Sequence, residues 1–267
     1  MENKQDIDGL TIAGLALLLM SITTMVHEIG GHAAMCLATG GTVTKLGAFY
    51  ATCHSPDDST RRLVALAGPG IDAVLGLIFW QMRGRFKSDL ARLVVWYCAL
   101  CFSFSAAGYV LYSGISGMGD LGPGVGGGIG LLPHSGIWRF GFALGGGLAY
   151  VMLVRAGTAS LTAMIGQGIG TRVTRRKIAH VFYAVLCLSA VLASLPNPVG
   201  LFVTLASALA ATFGGKAGMI SIGFSARTGS GAALPFRIER NWIIVLVGLA
   251  ASLAFALVLG PTITLAS

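Results

Sequence analysis

LTIAGLALLLMSITTMVHEIGGHAAMCLAT, residues 10–39, runs without a lysine or arginine and with a single carboxylate, Glu28. About twenty apolar residues cross the hydrocarbon layer of a bilayer, so this stretch predicts a membrane-spanning helix with length to spare. Apolar runs near residues 63–82, 91–113, 138–157, 178–195, 199–214 and 241–260 repeat the pattern. The run at 199–214 is short and is parted from the one before it only by Pro196, Asn197 and Pro198, so a six-span count or a re-entrant pair competes with seven spans. Across 267 residues, 55% are hydrophobic and 10% charged, where a soluble domain carries about 25% charged residues. So few charges cannot cover a soluble globule. The reading is an all-α polytopic membrane protein of six to seven spans, and a disordered chain, a disulfide-stapled secreted domain and a nucleic-acid-binding module are excluded.

The net charge of +8 follows from where the basic residues fall. Four Lys or Arg lie in residues 83–92, five in 155–177 and four in 216–240, while 114–137, 196–200 and the residues after 260 have none. Such alternation is what the positive-inside rule produces, and it predicts a cytoplasmic N-terminus and an outer C-terminus, with Lys45, Arg61 and Arg62 counting against it. A bacterial inner membrane is the compartment considered. MENKQDID carries three acids and one lysine, the wrong flank for a signal peptide, so the first run is expected to stay in the mature protein. Residues 40–53, GGTVTKLGAFYATC, predict a strand or short hairpin after the first helix. Residues 114–136 hold ten glycines and two prolines and cannot form an ordinary helix. Four of the five cysteines lie inside apolar runs, so no disulfide framework is expected, and Cys98 and Cys101 read as packing residues.

Of ten acidic residues, only Glu28, Asp72 and Asp120 lie in or beside membrane-embedded sequence. An ionisable group there is costly and marks function by default. Glu28 belongs to HEIGGH, residues 27–32, which sets two imidazoles and a carboxylate within six positions. Zinc hydrolases use such groups: the histidines hold the metal and the glutamate takes a proton from its water. In HExxH the histidines are four apart, about 40° offset on a helix, whereas a spacing of five gives about 140°. One extra residue taken up as a π-bulge restores a shared face, and Gly30 and Gly31 tolerate that distortion best. The competing explanation is a polar contact between helices. His54 beside Asp57 and Asp58 reads as a solvated turn, His134 as a reserve ligand and His180 as an interface residue.

The order of motifs over residues 20–125 resembles the site-2 protease family of intramembrane zinc metalloproteases. HEIGGH followed by HAAMCLATGGTVTKLGAFY is similar to that family's first helix and its membrane-associated hairpin. LAGPGIDAVLGLIFW, residues 66–80, is similar to its AGPxxN helix: Gly68 and Pro69 match, and Asp72 stands where Asn or a small residue is usual. GMGDLGPG sets Asp120 in the place of the third ligand, an Asp in an LDG-type sequence whose preceding Asn and Pro are missing here. The resemblance implies a metalloprotease-like core of three spans in residues 1–125, with 126–267 an additional helical bundle. It also implies zinc held by His27, His32 and Asp120, its water activated by Glu28, and a transmembrane or membrane-adjacent peptide as substrate. A strand at 42–50 would hold that peptide by edge pairing. Asp72, with Gly68 and Pro69, would orient a ligand or the substrate backbone, a helix-packing acid being the other reading of Asp72. Many relatives open the site to the cytosol; the charge count here opens it to the opposite face. A non-proteolytic binding or chaperone module on the same fold and a transporter or metal-handling channel are the alternatives. Partners other than the bilayer and the substrate, and the oligomeric state, have no readable motif.

Overall fold

Short polar side chains start the helices. α1 (Gly9–Ala38) begins at Asp8, which accepts a hydrogen bond from Thr11 N at 2.8 Å. α2 (Asp58–Met82) begins at Asp57, which accepts from Thr60 N, and α3 (Asp89–Ser116) at Ser88, which accepts from Ala91 N. Each cap satisfies an amide that the first turn cannot. This is why α2 and α3 start ahead of their apolar runs. Then come α4 (Ser135–Ile165), α5 (Ile169–Ser194), the short α6 (Gly218–Phe224) and α7 (Trp242–Val258), the last capped by Asn241.

This computed structural model describes residues 5–123, 128–198, 200, 208–226 and 231–265. Among them, α1 to α5 are long and apolar enough to cross a membrane, against an expectation of six to seven spans. α7 is apolar but has 17 residues. The expected run at 199–214 lies outside the described residues apart from its end, where Leu209–Gly214 is a π-helical turn.

α3 is the hub. Of its apolar stretch 83% is buried inside the molecule, against 6% for α4. Trp96 donates its indole N–H to Gly157 O of α4 at 3.2 Å, and Tyr97 donates to Ile178 O of α5 at 2.7 Å while stacking on Phe182. Large aromatic rings are thus buried with their polar atoms satisfied. The outer face of α4, with Phe140, Leu144, Leu148 and Met152, stays exposed, which suits a lipid surface and not a watery one.

The two ends of the bundle differ. At one end β1 (Asp6–Ile7) pairs in parallel with β4 (Arg237–Ile238), Gln5 Nε2 donates to Ile165 O, Lys177 Nζ donates to Ile7 O and Arg237 N donates to Asp89 Oδ2. Residues 5–7 and the three basic connections converge there. At the other end β2 (Thr42–Gly47) and β3 (Tyr50–His54) form the expected hairpin, joined by β5 (Ile263–Thr264) in the order β3-β2-β5.

Three expectations need correction. Cys36 and Cys53 form a disulfide, although no disulfide was expected: the hairpin returns antiparallel with Val43 opposite Cys53 and brings Cys53 over the end of α1, the two Cα atoms 5.9 Å apart, within the reach of such a bond. β2 is not a free edge, because β5 occupies the side away from β3. Lys216, counted with a basic connection, is buried, and its Nζ donates to Ser105 Oγ of α3 at 2.9 Å.

Candidate metal centre

Residues Val26–Ala33 of α1 form a π-helical segment. Its wider turn sets residue i+5 above residue i, so His27 and His32 share a face, as the five-residue spacing requires. Gly31 and Gly68 let α2 approach this segment closely. A methyl group on Gly31 would lie 2.6 Å from Gly68 Cα, and one on Gly68 would overlap Nε2 of both histidines. The AGPG turn of α2 therefore leaves open the space into which the two imidazoles point. Pro69 lies inside α2, and on the preceding part of that helix the Val64 carbonyl accepts from His32 Nδ1 at 2.7 Å.

Asp120 comes from beyond α3. The helix stops at Gly117, whose φ of 72° needs the left-handed region, and the chain turns back so that the Asp120 carboxylate meets the histidines. Asp120 Oδ2 lies 3.1 Å from His27 Nε2 and 3.3 Å from His32 Nε2, and the two nitrogens are 3.2 Å apart. Zinc bonded to nitrogen and oxygen at about 2.0–2.1 Å in tetrahedral geometry separates its ligands by about 3.3 Å. The three atoms fit that triangle, and among the described residues this is the one group of three His, Cys, Asp or Glu residues close enough to hold an ion.

The outer nitrogens are also engaged. His27 Nδ1 lies 2.8 Å from Asp72 Oδ2 of α2, and His32 Nδ1 donates to Val64 O. With a proton on each Nδ1, both Nε2 lone pairs face Asp120, the tautomer a metal needs. Tyr109 of α3 stacks on His27 with ring centroids 4.5 Å apart. Glu28 is buried beside them, and its Oε2 has no hydrogen-bond partner among the described residues.

His27, His32, Asp120 and Asp72 are therefore brought together, with Glu28, Gly68 and Pro69 on the same two helices. His54 ends β3, Asp57 caps α2, Asp58 lies 3.3 Å from Arg61, and His134 precedes α4 at a φ of 57°; none of them joins the cluster. His180 packs on Phe224 near the basic end. Tyr109 and the Val64 carbonyl went unread, since a tyrosine in an apolar run and a backbone oxygen carry no sequence signal. Comparison with protein-family models, with curated proteins and with solved structures returned no match.

Proposed function

We infer that this chain is an intramembrane zinc metalloprotease of the site-2 protease kind. The observation that carries the reading is the triangle of His27 Nε2, His32 Nε2 and Asp120 Oδ2, with both far nitrogens already held and, on the next residue after His27, a buried Glu28 whose Oε2 has no hydrogen-bond partner among the described residues. A purely structural metal site has no use for such a carboxylate. His27, His32 and Asp120 would hold zinc, and zinc supplies an acidified water and polarises a carbonyl. Glu28 takes a proton from the attacking water and returns it to the departing amine nitrogen, so the peptide C–N bond breaks as the C–O bond forms. Asp72 keeps the His27 ring in its tautomer. The substrate is a transmembrane or membrane-adjacent peptide, unwound and laid along β3, whose outer side no other described strand pairs.

The same reading sets the N-terminus in the cytoplasm and the site toward the outer face. Two separate features support that orientation: the basic connections gathered at one end, and the Cys36–Cys53 disulfide at the other. Disulfides persist in oxidising compartments.

Metal analysis of the purified chain tests the proposal. About one zinc per chain is expected, kept by Glu28→Gln with loss of peptide cleavage and lost by His32→Ala. Zinc-free wild-type protein, or undiminished cleavage by Glu28→Gln, would sink it. Zinc binding in wild type without cleavage of any membrane peptide would favour the binding-module alternative.

A further inference from the structure

At the basic end, Arg175 of α5 is 1% exposed and has no carboxylate within ion-pair distance among the described residues. Four of its N–H groups go to neutral oxygens: Thr171 Oγ1 at 3.0 Å, Ser225 Oγ at 3.2 Å, Thr162 Oγ1 at 2.8 Å and Gly166 O at 2.7 Å. The carbonyl end of α4 offsets part of the buried charge, yet a guanidinium without a counter-ion is expensive to bury. Beside it opens a cavity of about 720 Å³, lined by Arg175, Arg155, Thr158, Thr162, Gln167 and Ser225, with a strip of Val154, Ala159 and Ala163. Two cations, three hydroxyls and an amide face this space, and no lining residue is acidic. A neighbouring cavity on α4 also has two arginines, Arg83 and Arg92, but Asp89 already lies 3.1 Å from Arg92.

We propose that the Arg155–Arg175 cavity binds a phosphate group, supplied by the headgroup of an anionic phospholipid. The guanidinium fork of Arg155 matches phosphate oxygens in geometry and charge, while Arg175 adds its positive charge and its one remaining N–H, and the cavity volume lies in the range of small-ligand sites, about 300–1,000 Å³. The position selects the lipid. The cavity sits among the basic connections, where headgroups of an anionic inner leaflet would lie. From it α4 continues as the exposed apolar ladder Leu144, Leu148, Val151 and Met152, a path for acyl chains.

The test uses the full chain in neutral detergent, offered phosphatidylglycerol, phosphatidylcholine or inorganic phosphate, with bound lipid counted by native mass spectrometry and Tm measured alongside. Phosphatidylglycerol is expected to be retained and to raise Tm, and phosphatidylcholine is not. Arg155 is exposed, so Arg155→Glu should fold normally, with unchanged lipid-free Tm, and weaken phosphatidylglycerol binding at least about tenfold. A rise in Tm with inorganic phosphate but no retained lipid keeps the phosphate site and makes its ligand a soluble one. Equal retention of the two lipids with no response to phosphate, or binding untouched by Arg155→Glu, overturns the proposal. Because no arm measures zinc or cleavage, its failure is separate from failure of the protease reading.

Discussion

Asp72 gives one carboxylate oxygen to His27 Nδ1 and leaves the other, Oδ1, buried without a hydrogen-bond partner among the described residues. Buried Lys216 lies within electrostatic reach of it, so charge inside the bundle extends from the histidines through Asp72 toward α3. An acid that fixes a ligand's tautomer makes that ligand more basic, and removing such a partner costs about 10–100-fold in metal affinity. Asp72→Asn keeps an oxygen for the hydrogen bond but drops the charge. Chelator competition should show zinc held about 10–100-fold more weakly in that variant, and unchanged affinity would make Asp72 a helix-packing acid. At this scale the sequence was most readable where a group was most out of place. Glu28, His27, His32, Asp72 and Asp120 stand out because ionisable groups beside lipid are costly. Lys216 did not, because a lysine between GG and AG reads as a loop cation unless its burial is known.

Among elements, the π-helical turn of α1 and the AGPG turn of α2 make one unit. Sequence spacing alone called for the first: two metal-type histidines five apart do not meet on a regular α-helix. The closeness of the second came only with the structure, since glycine in a helix can signify packing, a kink or nothing. The contact sets up a paired prediction. A methyl group on Gly30 meets only side-chain carbons, the nearer being Ile71 Cδ1 at 3.5 Å, while one on Gly31 runs into the Gly68 backbone at 2.6 Å. Gly30→Ala should therefore leave stability and zinc content near wild type. Gly31→Ala should cost about 1–3 kcal/mol, the range for overpacking a close interface, and reduce zinc content by pushing α2 off the imidazoles. Thermal melting with metal analysis checks both, and equal behaviour of the two variants would refute the close-packed unit. The disulfide escaped the sequence reading for a related reason: Cys36 sits in an apolar run, and only the register of β2 with β3 brings Cys53 back over it.

For the whole molecule, polarity of the two ends decides which compartment the candidate metal centre meets. An impermeant maleimide applied to intact cells should label Asp58→Cys, near the hairpin, and spare Arg85→Cys, at the basic end; the opposite pattern would reverse the orientation. The segregation was legible because the basic connections alternate along the chain, and so was the β2–β3 hairpin; β1, β4 and β5 were not, because strands of two residues leave no periodic pattern. Those sheets tie distant parts of the chain together. Leu46 of the hairpin pairs with Ile263, and Asp6 pairs with Arg237. Neither clasp can close until the ribosome has passed residues 237–264. The hairpin beside the histidine-bearing helix therefore leaves the insertion machinery incomplete and is finished only by the far end of its own chain, so a nascent or truncated copy would carry the histidines without the completed three-stranded sheet.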